Sequence, residues 1–394
     1  MSQYHIESPG KVTQGEQFPA YFTWIAVGVL IYALLVGVDV IGAGFKWVSG
    51  GAEGAEAIFA FASNPVIGVI VGILATALVQ SSSTVTSIIV GLVAGGVPVS
   101  IAVPMIMGAN MGTTITNTIV SLGCLGEKET FRRCFQAATV HDFFNLFSIL
   151  IFLPIEMLFH PLERMAGNMA TWFSGSGGAS VDQLNVIGAA TKPLVQIIVE
   201  LFESLPLIGG YLAIAIGIGL VIASVLYLGR LLKSVMTGKA KDIVQYAIGR
   251  STAAGVASGT AMTVLVQSSS TTTSLIVPLA GAGVLSLKQV FPFTLGANIG
   301  TCITALLAAT AVSGPNEVLA LQIALVHLLY NLVGVGCFLW IPWLRTTPIR
   351  AAKWLGELTA RNRVWAFVYV FAVFFILPAT VMGAEKLLEQ LGVI

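Results

Sequence analysis

Apolar runs of membrane length dominate the chain, and short hydroxyl-rich tracts interrupt them at matched positions. Apolar segments fall at about 21–41, 57–79, 82–97, 99–122 and 132–153, then at 207–228, 245–266, 270–285, 290–312 and 318–341, with one more at 364–382. A spanning helix needs about 20 apolar residues, so five segments, five more and one extra predict an all-α polytopic membrane protein. The polar tract Gln80-Ser81-Ser82-Ser83-Thr84 recurs as Gln267-Ser268-Ser269-Ser270-Thr271. Gly108-Ala109-Asn110-Met111-Gly112-Thr113 recurs as Gly296-Ala297-Asn298-Ile299-Gly300-Thr301, and His141 with Asn145 recurs as His327 with Asn331. The copies are offset by 187, 188 and 186 residues, so half the chain is duplicated once and no short-period solenoid is present.

Composition agrees: 56% of the residues are hydrophobic, 9% are charged, and the mean hydropathy is +0.91. A soluble domain carries about 25% charged residues. The formal net charge of +1 and the absence of a basic arm offer nothing to nucleic acid. The four cysteines, Cys124, Cys134, Cys302 and Cys337, lie in or beside apolar segments without metal-type spacing, which favours packing roles over disulfides or ligands. The first 20 residues, with Lys11 their single lysine or arginine, lack the pattern of a cleaved leader. Residues 154–206, rich in proline and holding Ser174-Gly175-Ser176-Gly177-Gly178, read as a connector and not a span. The expected organisation is an N-terminal tail 1–20, repeat one at 21–153, the connector 154–206, repeat two at 207–341, and a loop with the extra span at 342–394.

In each repeat the second and third segments meet at the Gln-Ser-Ser-Ser tract with almost no loop, and the third is only about 16 residues long. A re-entrant helical hairpin with its tip near mid-membrane fits this better than two crossings. Each repeat then crosses three times around its hairpin, and an odd count inverts one repeat relative to the other. Basic residues agree with inversion. One side collects Lys11, Lys128, Arg132, Arg133, Arg230, Lys233, Lys239, Lys241, Arg250, Lys288, Arg345, Arg350, Lys353, Arg361 and Arg363, which are 15 of the 19 lysines and arginines. By the positive-inside rule that side is cytoplasmic, the connector is outside, and the C-terminus after one extra span is outside.

A tip carrying Gln80, Ser81, Ser82, Ser83 and Thr84 offers hydroxyl and amide donors beside the unpaired N–H groups of a helix start, which suits a small oxyanion. Its duplicate, Gln267 to Thr271, doubles the donors. For one copy, inter-helix hydrogen bonding explains such residues equally well; two matched copies at helix breaks favour an anion site. No nucleotide-binding loop occurs, and neither tip contains lysine or arginine, so co-bound cations would offset the anion's charge. The oxygen-rich blocks Asn110 to Thr118 (Thr113, Thr114, Thr116, Asn117) and Asn298 to Thr304 could supply hard ligands, although the same sequence also suits close helix packing. Asp142 falls inside an apolar segment, where an unpartnered carboxylate costs at least about 2.5 kcal/mol, so a functional role is the default. Leu328 occupies its position in the second copy. His141 and His327 read as hydrogen-bonded core residues. Asp39, Lys46, Glu53 and Glu56 read as solvated charges at or beyond the outer end of the first span.

At these residues the chain resembles the type II sodium-phosphate cotransporter family. The matching stretches are 79–84, 108–120, 131–135, 138–145, 267–270 and 296–301. The resemblance covers most of the chain and implies secondary-active, sodium-coupled uptake of inorganic phosphate, with both Gln-Ser-Ser-Ser tips at the substrate. It implies sodium ligands among Thr118, Asp142, Asn145 and the Gly296 to Thr301 block, with Asn298 and Thr301; the oxygen-rich reading adds Asn110 and Thr113. Where vertebrate members carry glutamine and aspartate, this chain has Cys124 and Glu127, which makes Glu127 a candidate at an altered sodium site. The connector has no cysteine, so the loop disulfide of animal members is not expected.

The expected protein is thus no enzyme and carries no cofactor. It is a sodium-phosphate symporter of the plasma membrane, most simply a bacterial inner membrane, whose partners are phosphate, sodium and lipid; a homodimer is left open. An anion channel using the same donors, or a membrane scaffold or sensor whose tips only pack helices, are the alternatives.

Overall fold

A computed structural model describes residues 20–174, 181–205, 208–236, 248, 250–312 and 314–390. Lys11, Gly175 to Gly178, Lys239 and Lys241 lie outside the described residues. Among the described residues the chain is helical throughout, with no strand.

The helices are α1 (Ala20–Ser49), α2 (Ala52–Ile58), α3 (Pro65–Val79), α4 (Ser82–Ala94), α5 (Val99–Gly112), α6 (Ile115–Leu122), α7 (Lys128–Phe159), α8 (Pro161–Ser174) and α9 (Val181–Glu200). The second half follows as α10 (Gly209–Met236), α11 (Thr252–Val266), α12 (Ser269–Ser274), α13 (Ile276–Gly281), α14 (Leu287–Ala309), α15 (Glu317–Trp340), α16 (Pro342–Arg361), α17 (Val364–Phe371) and α18 (Leu377–Gln390). Among the described residues, seven stretches are long and apolar enough to cross a membrane: Phe22–Ser49, Val99–Leu122, Lys128–Phe159, Gly209–Leu231, Leu287–Ala309, Glu317–Trp340 and Val364–Glu385. The apolar helices α3, α4 and α11 are shorter, at 15, 13 and 15 residues.

Local chemistry sets the short helices. Asn64 caps α3 by accepting the Val66 N–H, with Pro65 at the first helical position, where its missing N–H leaves no bond unmade. Ser251 caps α11 through the Ala254 N–H at 3.1 Å. Each then packs backbone to backbone on a long partner. A Cβ on Gly72 would stand 2.1 Å from the Met105 carbonyl oxygen, and one on Gly108 1.9 Å from that of Val69, so α3 and α5 approach as closely as glycine allows. Gly259 and Gly296 repeat the contact between α11 and α14, at 2.1 Å from the Phe293 oxygen and 2.0 Å from the Val256 oxygen. One apolar cluster, including Ile41, Ile89, Ile106, Ala305 and Val326, ties elements of both halves together.

Two expectations fail here. Cys124 and Cys134 are joined by a disulfide; the turn after α6 brings their Cα atoms to 6.5 Å, a fold-back that residue spacing alone does not reveal. Cys302 and Cys337 are free thiols. Asp39 is no loop charge, because α1 runs ten residues past it to Ser49 and its Oδ2 accepts a 3.3 Å hydrogen bond from Thr191 of α9.

Candidate functional site

Both Gln-Ser-Ser-Ser tracts are helix breaks of one design. Gln80 ends α3 and Gln267 ends α11 with positive φ, 59° and 54°, an uncommon conformation for residues other than glycine. The turn lets the next serine cap the following helix: Ser81 Oγ accepts the Thr84 N–H at 3.2 Å, and Ser268 Oγ accepts that of Thr271 at 3.2 Å. Each glutamine amide donates to its own last turn, at Ala77 O and Val264 O. Each glutamine carbonyl accepts a threonine hydroxyl, Thr116 on Gln80 and Thr304 on Gln267, both at 2.9 Å. The glutamines therefore brace the breaks, and the first serine of each tract caps the helix that follows.

The two breaks share a cavity of ≈ 400 Å³. Gln80, Ser81 and Thr116 line it from the first half, and Gln267, Ser268, Ser270, Thr271 and Ser274 from the second. Helix α10 completes the wall and brings the one charged lining residue among the described residues, Arg230, whose guanidinium carbon lies 5.4 Å from the ring centroid of Tyr227. Ser82, Ser83, Thr84 and Ser269 do not line the cavity and are buried. The oxygen-rich blocks hold this arrangement together: Asn117 donates to Thr273 Oγ1 at 2.7 Å and accepts from Ser274 at 3.0 Å, joining α6 to α12.

Beneath the breaks, the duplicated asparagines and histidines pair across the repeats. Asn110 Oδ1 lies 3.0 Å from His327 Nε2, and its amide donates to Asn331 Oδ1 at 2.9 Å. Reciprocally, Asn298 Oδ1 lies 2.7 Å from His141 Nε2, and its amide donates to Asn145 Oδ1 at 2.8 Å. Asn145 also donates to the Asn110 carbonyl at 3.1 Å. All six side chains are buried. Thr113 and Thr301 turn back on their own helices, each donating at 3.1 Å to the carbonyl four residues earlier. Five of the seven candidate sodium ligands thus already serve each other or their own backbone.

The remaining two, Thr118 and Asp142, bond each other, and Thr118 also lies 3.3 Å from the Thr114 carbonyl of its own helix. Asp142 is fully buried, and its Oδ2 accepts from Thr118 and from Tyr369, both at 3.0 Å. Its Oδ1 has no hydrogen-bond partner among the described residues. Thr114, which donates to the Met111 carbonyl, stands beside the carboxylate. A buried carboxylate with one unoccupied oxygen among hydroxyls is a hard, anionic cradle for a cation. Glu127 is not gathered to it: Glu127 is exposed and accepts the Thr130 hydroxyl at 2.8 Å. Arg230 and Tyr369 were not singled out for the site by the sequence; Thr304 was legible, since it lies 188 residues from Thr116, the offset of the glycine-asparagine blocks.

Spanning helices, paired breaks and a shared polar cavity define an integral multi-pass membrane protein built from two related halves. Comparison with known proteins gives the family: the Na+/Pi-cotransporter pattern matches residues 33–174 and 209–359, and the chain belongs to that family. It is 36% identical over 429 residues to sodium-dependent phosphate transport protein 2A of Rattus norvegicus, covering 90% of this chain and 66% of the rat protein. Sodium-dependent phosphate transport protein 2B of Homo sapiens is 33% identical over 443 residues, covering 90% of this chain and 64% of the human protein. The chain thus spans slightly less than two thirds of these relatives. No solved structure matches it.

Proposed function

We propose that this protein is a sodium-coupled symporter that carries inorganic phosphate into the cell by alternating access. The observation that carries the reading is the single cavity on which both helix breaks open, lined by Ser81, Ser268, Ser270 and Thr271 with Arg230 at its wall. Hydroxyl and amide donors replace the hydration of a tetrahedral oxyanion, and the guanidinium supplies part of the countercharge. Sodium supplies the rest, with the Asp142 carboxylate and the Thr118 hydroxyl as its ligands. The family relatives are named as sodium-dependent phosphate transporters.

The breaks act as tips of re-entrant hairpins. At 1.5 Å per residue, α3, α4 and α11 reach only about 20 Å, against a hydrocarbon core of about 30 Å. The repeats lie inverted, the basic surface is cytoplasmic, and the connector and C-terminus are outside; the skew of lysine and arginine supports this orientation. Uptake of radiolabelled phosphate into proteoliposomes, with a sodium gradient or with choline in its place, tests the proposal. Sodium-independent uptake would instead favour a channel, and no uptake or binding a scaffold.

A further inference from the structure

Away from the helix breaks, a second cavity of ≈ 390 Å³ is walled by Arg132 and Arg133 of α7, by Lys353 of α16 and by Gly283, Leu285 and Ser286 between α13 and α14. We propose that this cavity seats the phosphate headgroup of an anionic phospholipid. Charge is the first argument. Glu129 pairs with both arginines, at 2.6 Å to Arg132 Nη2 and 3.0 Å to Arg133 Nε, and Glu357 also acts on Arg132; against these two carboxylates the two arginines and the exposed Lys353 leave the group net positive.

Shape is the second. Gly283 has φ +77°, and a Cβ there would stand 2.4 Å from Arg133 Nη1, so the guanidinium lies in space that a side chain would fill. Basic residues that merely set topology need no cavity; these three wall one.

Depth is the third. Helix α16 buries Leu344, Pro348, Ala352, Leu355 and Thr359 along one stripe, and presents Trp343 and Trp354 outward at 66% and 63% exposure. Trp340 and Trp365, just beyond its ends, are 88% and 47% exposed. Indoles concentrate at headgroup level, and cationic pockets between helices at that level bind lipid phosphates. An exposed indole flank suits a lipid and is irrelevant to a free anion.

The test uses the full chain in detergent, titrated with phosphatidylglycerol or phosphatidylcholine, with bound lipid counted by native mass spectrometry. Wild type is expected to retain phosphatidylglycerol over phosphatidylcholine, and millimolar inorganic phosphate without sodium is not expected to displace it. Arg133→Gln with Lys353→Gln should weaken retention about twenty-five-fold, at about fivefold per charge removed, while Arg133→Lys with Lys353→Arg restores it. Should the neutral double variant misfold, Lys353→Gln alone should show the single-charge loss. Equal retention of both lipids, a neutral variant that binds like wild type, or displacement by inorganic phosphate would each overturn the assignment.

Discussion

Asn110 and His327 are 217 positions apart in the chain, yet Oδ1 of the first lies 3.0 Å from Nε2 of the second, at the buried centre where the halves meet. Removing either leaves the other's polar atom buried and unpaired, at a cost of about 1–3 kcal/mol. Asn110→Ala and His327→Ala should each lower thermal stability, and the double variant should cost less than their sum by about 0.5–3 kcal/mol. Strict additivity in the unfolding series would argue against this contact.

Close backbone packing predicts a sharp difference among glycines. Gly72→Ala and Gly296→Ala push a methyl to within 2.1 Å and 2.0 Å of a carbonyl oxygen. Each should cost about 1–3 kcal/mol or more as α3 or α14 is displaced. Gly28→Ala meets nothing within 4 Å and should express and melt as wild type. Size-exclusion profiles of the three variants decide it.

Ser81→Trp and Ser268→Trp fill the shared cavity from opposite sides and should abolish phosphate uptake, with a stability loss of about the lost N-cap, about 0.5–2 kcal/mol. Arg230→Gln should keep the fold and raise the KM for phosphate about tenfold or more, the loss of one charge-assisted contact. Normal uptake by both tryptophan variants would remove the cavity from the transport path.

If Asp142 holds a sodium ion, Asp142→Gly removes one positive charge from each cycle. At about 100 mV that charge is worth about 2.3 kcal/mol, or about fifty-fold in limiting accumulation. For a cycle that moves three sodium ions with one divalent phosphate, a net charge of +1, uptake into voltage-clamped vesicles should then lose its response to potential. Tyr369→Phe, which removes one donor from the same oxygen, should shift the sodium concentration for half-maximal uptake while leaving the voltage response in place. A wild type indifferent to voltage would demote Asp142 to a structural residue.

The disulfide has a simple chemical readout. Denatured without reductant, the chain should titrate two thiols, Cys302 and Cys337, and four after reduction. Losing the Cys124–Cys134 link should cost about 2–3 kcal/mol of stability. Four thiols before reduction would show that the link does not form in the protein as prepared.

Much of this was legible in the sequence because duplication doubles every signal. The break residues Gln80 and Gln267 stood out as polar pairs in apolar surroundings, and both end their helices at positive φ. Asp142 stood out because a carboxylate in an apolar run needs a partner. One partner, Thr118, was named there; the other was hidden, because Tyr369 sits 227 residues later in the extra span outside both repeats, where no internal comparison points to it. Arg230 was hidden for a different reason, since a basic residue at a helix end reads as a marker of topology. The depth of the serine tracts was also beyond reach. Four consecutive hydroxyls look alike in sequence, but the cap geometry turns Ser81 to the cavity and buries Ser82 to Thr84.

The crossed pairing of asparagine with histidine says something about ancestry. Residue i of one half meets residue j of the other, while j of the first meets i of the second, which is the signature of an isologous two-fold interface. Two identical copies of a single half would satisfy the same polar atoms twice over, as a homodimer. The single chain holds what such a pair of identical copies could not: Asp142 has Leu328 at the matching position, so the buried carboxylate occurs once.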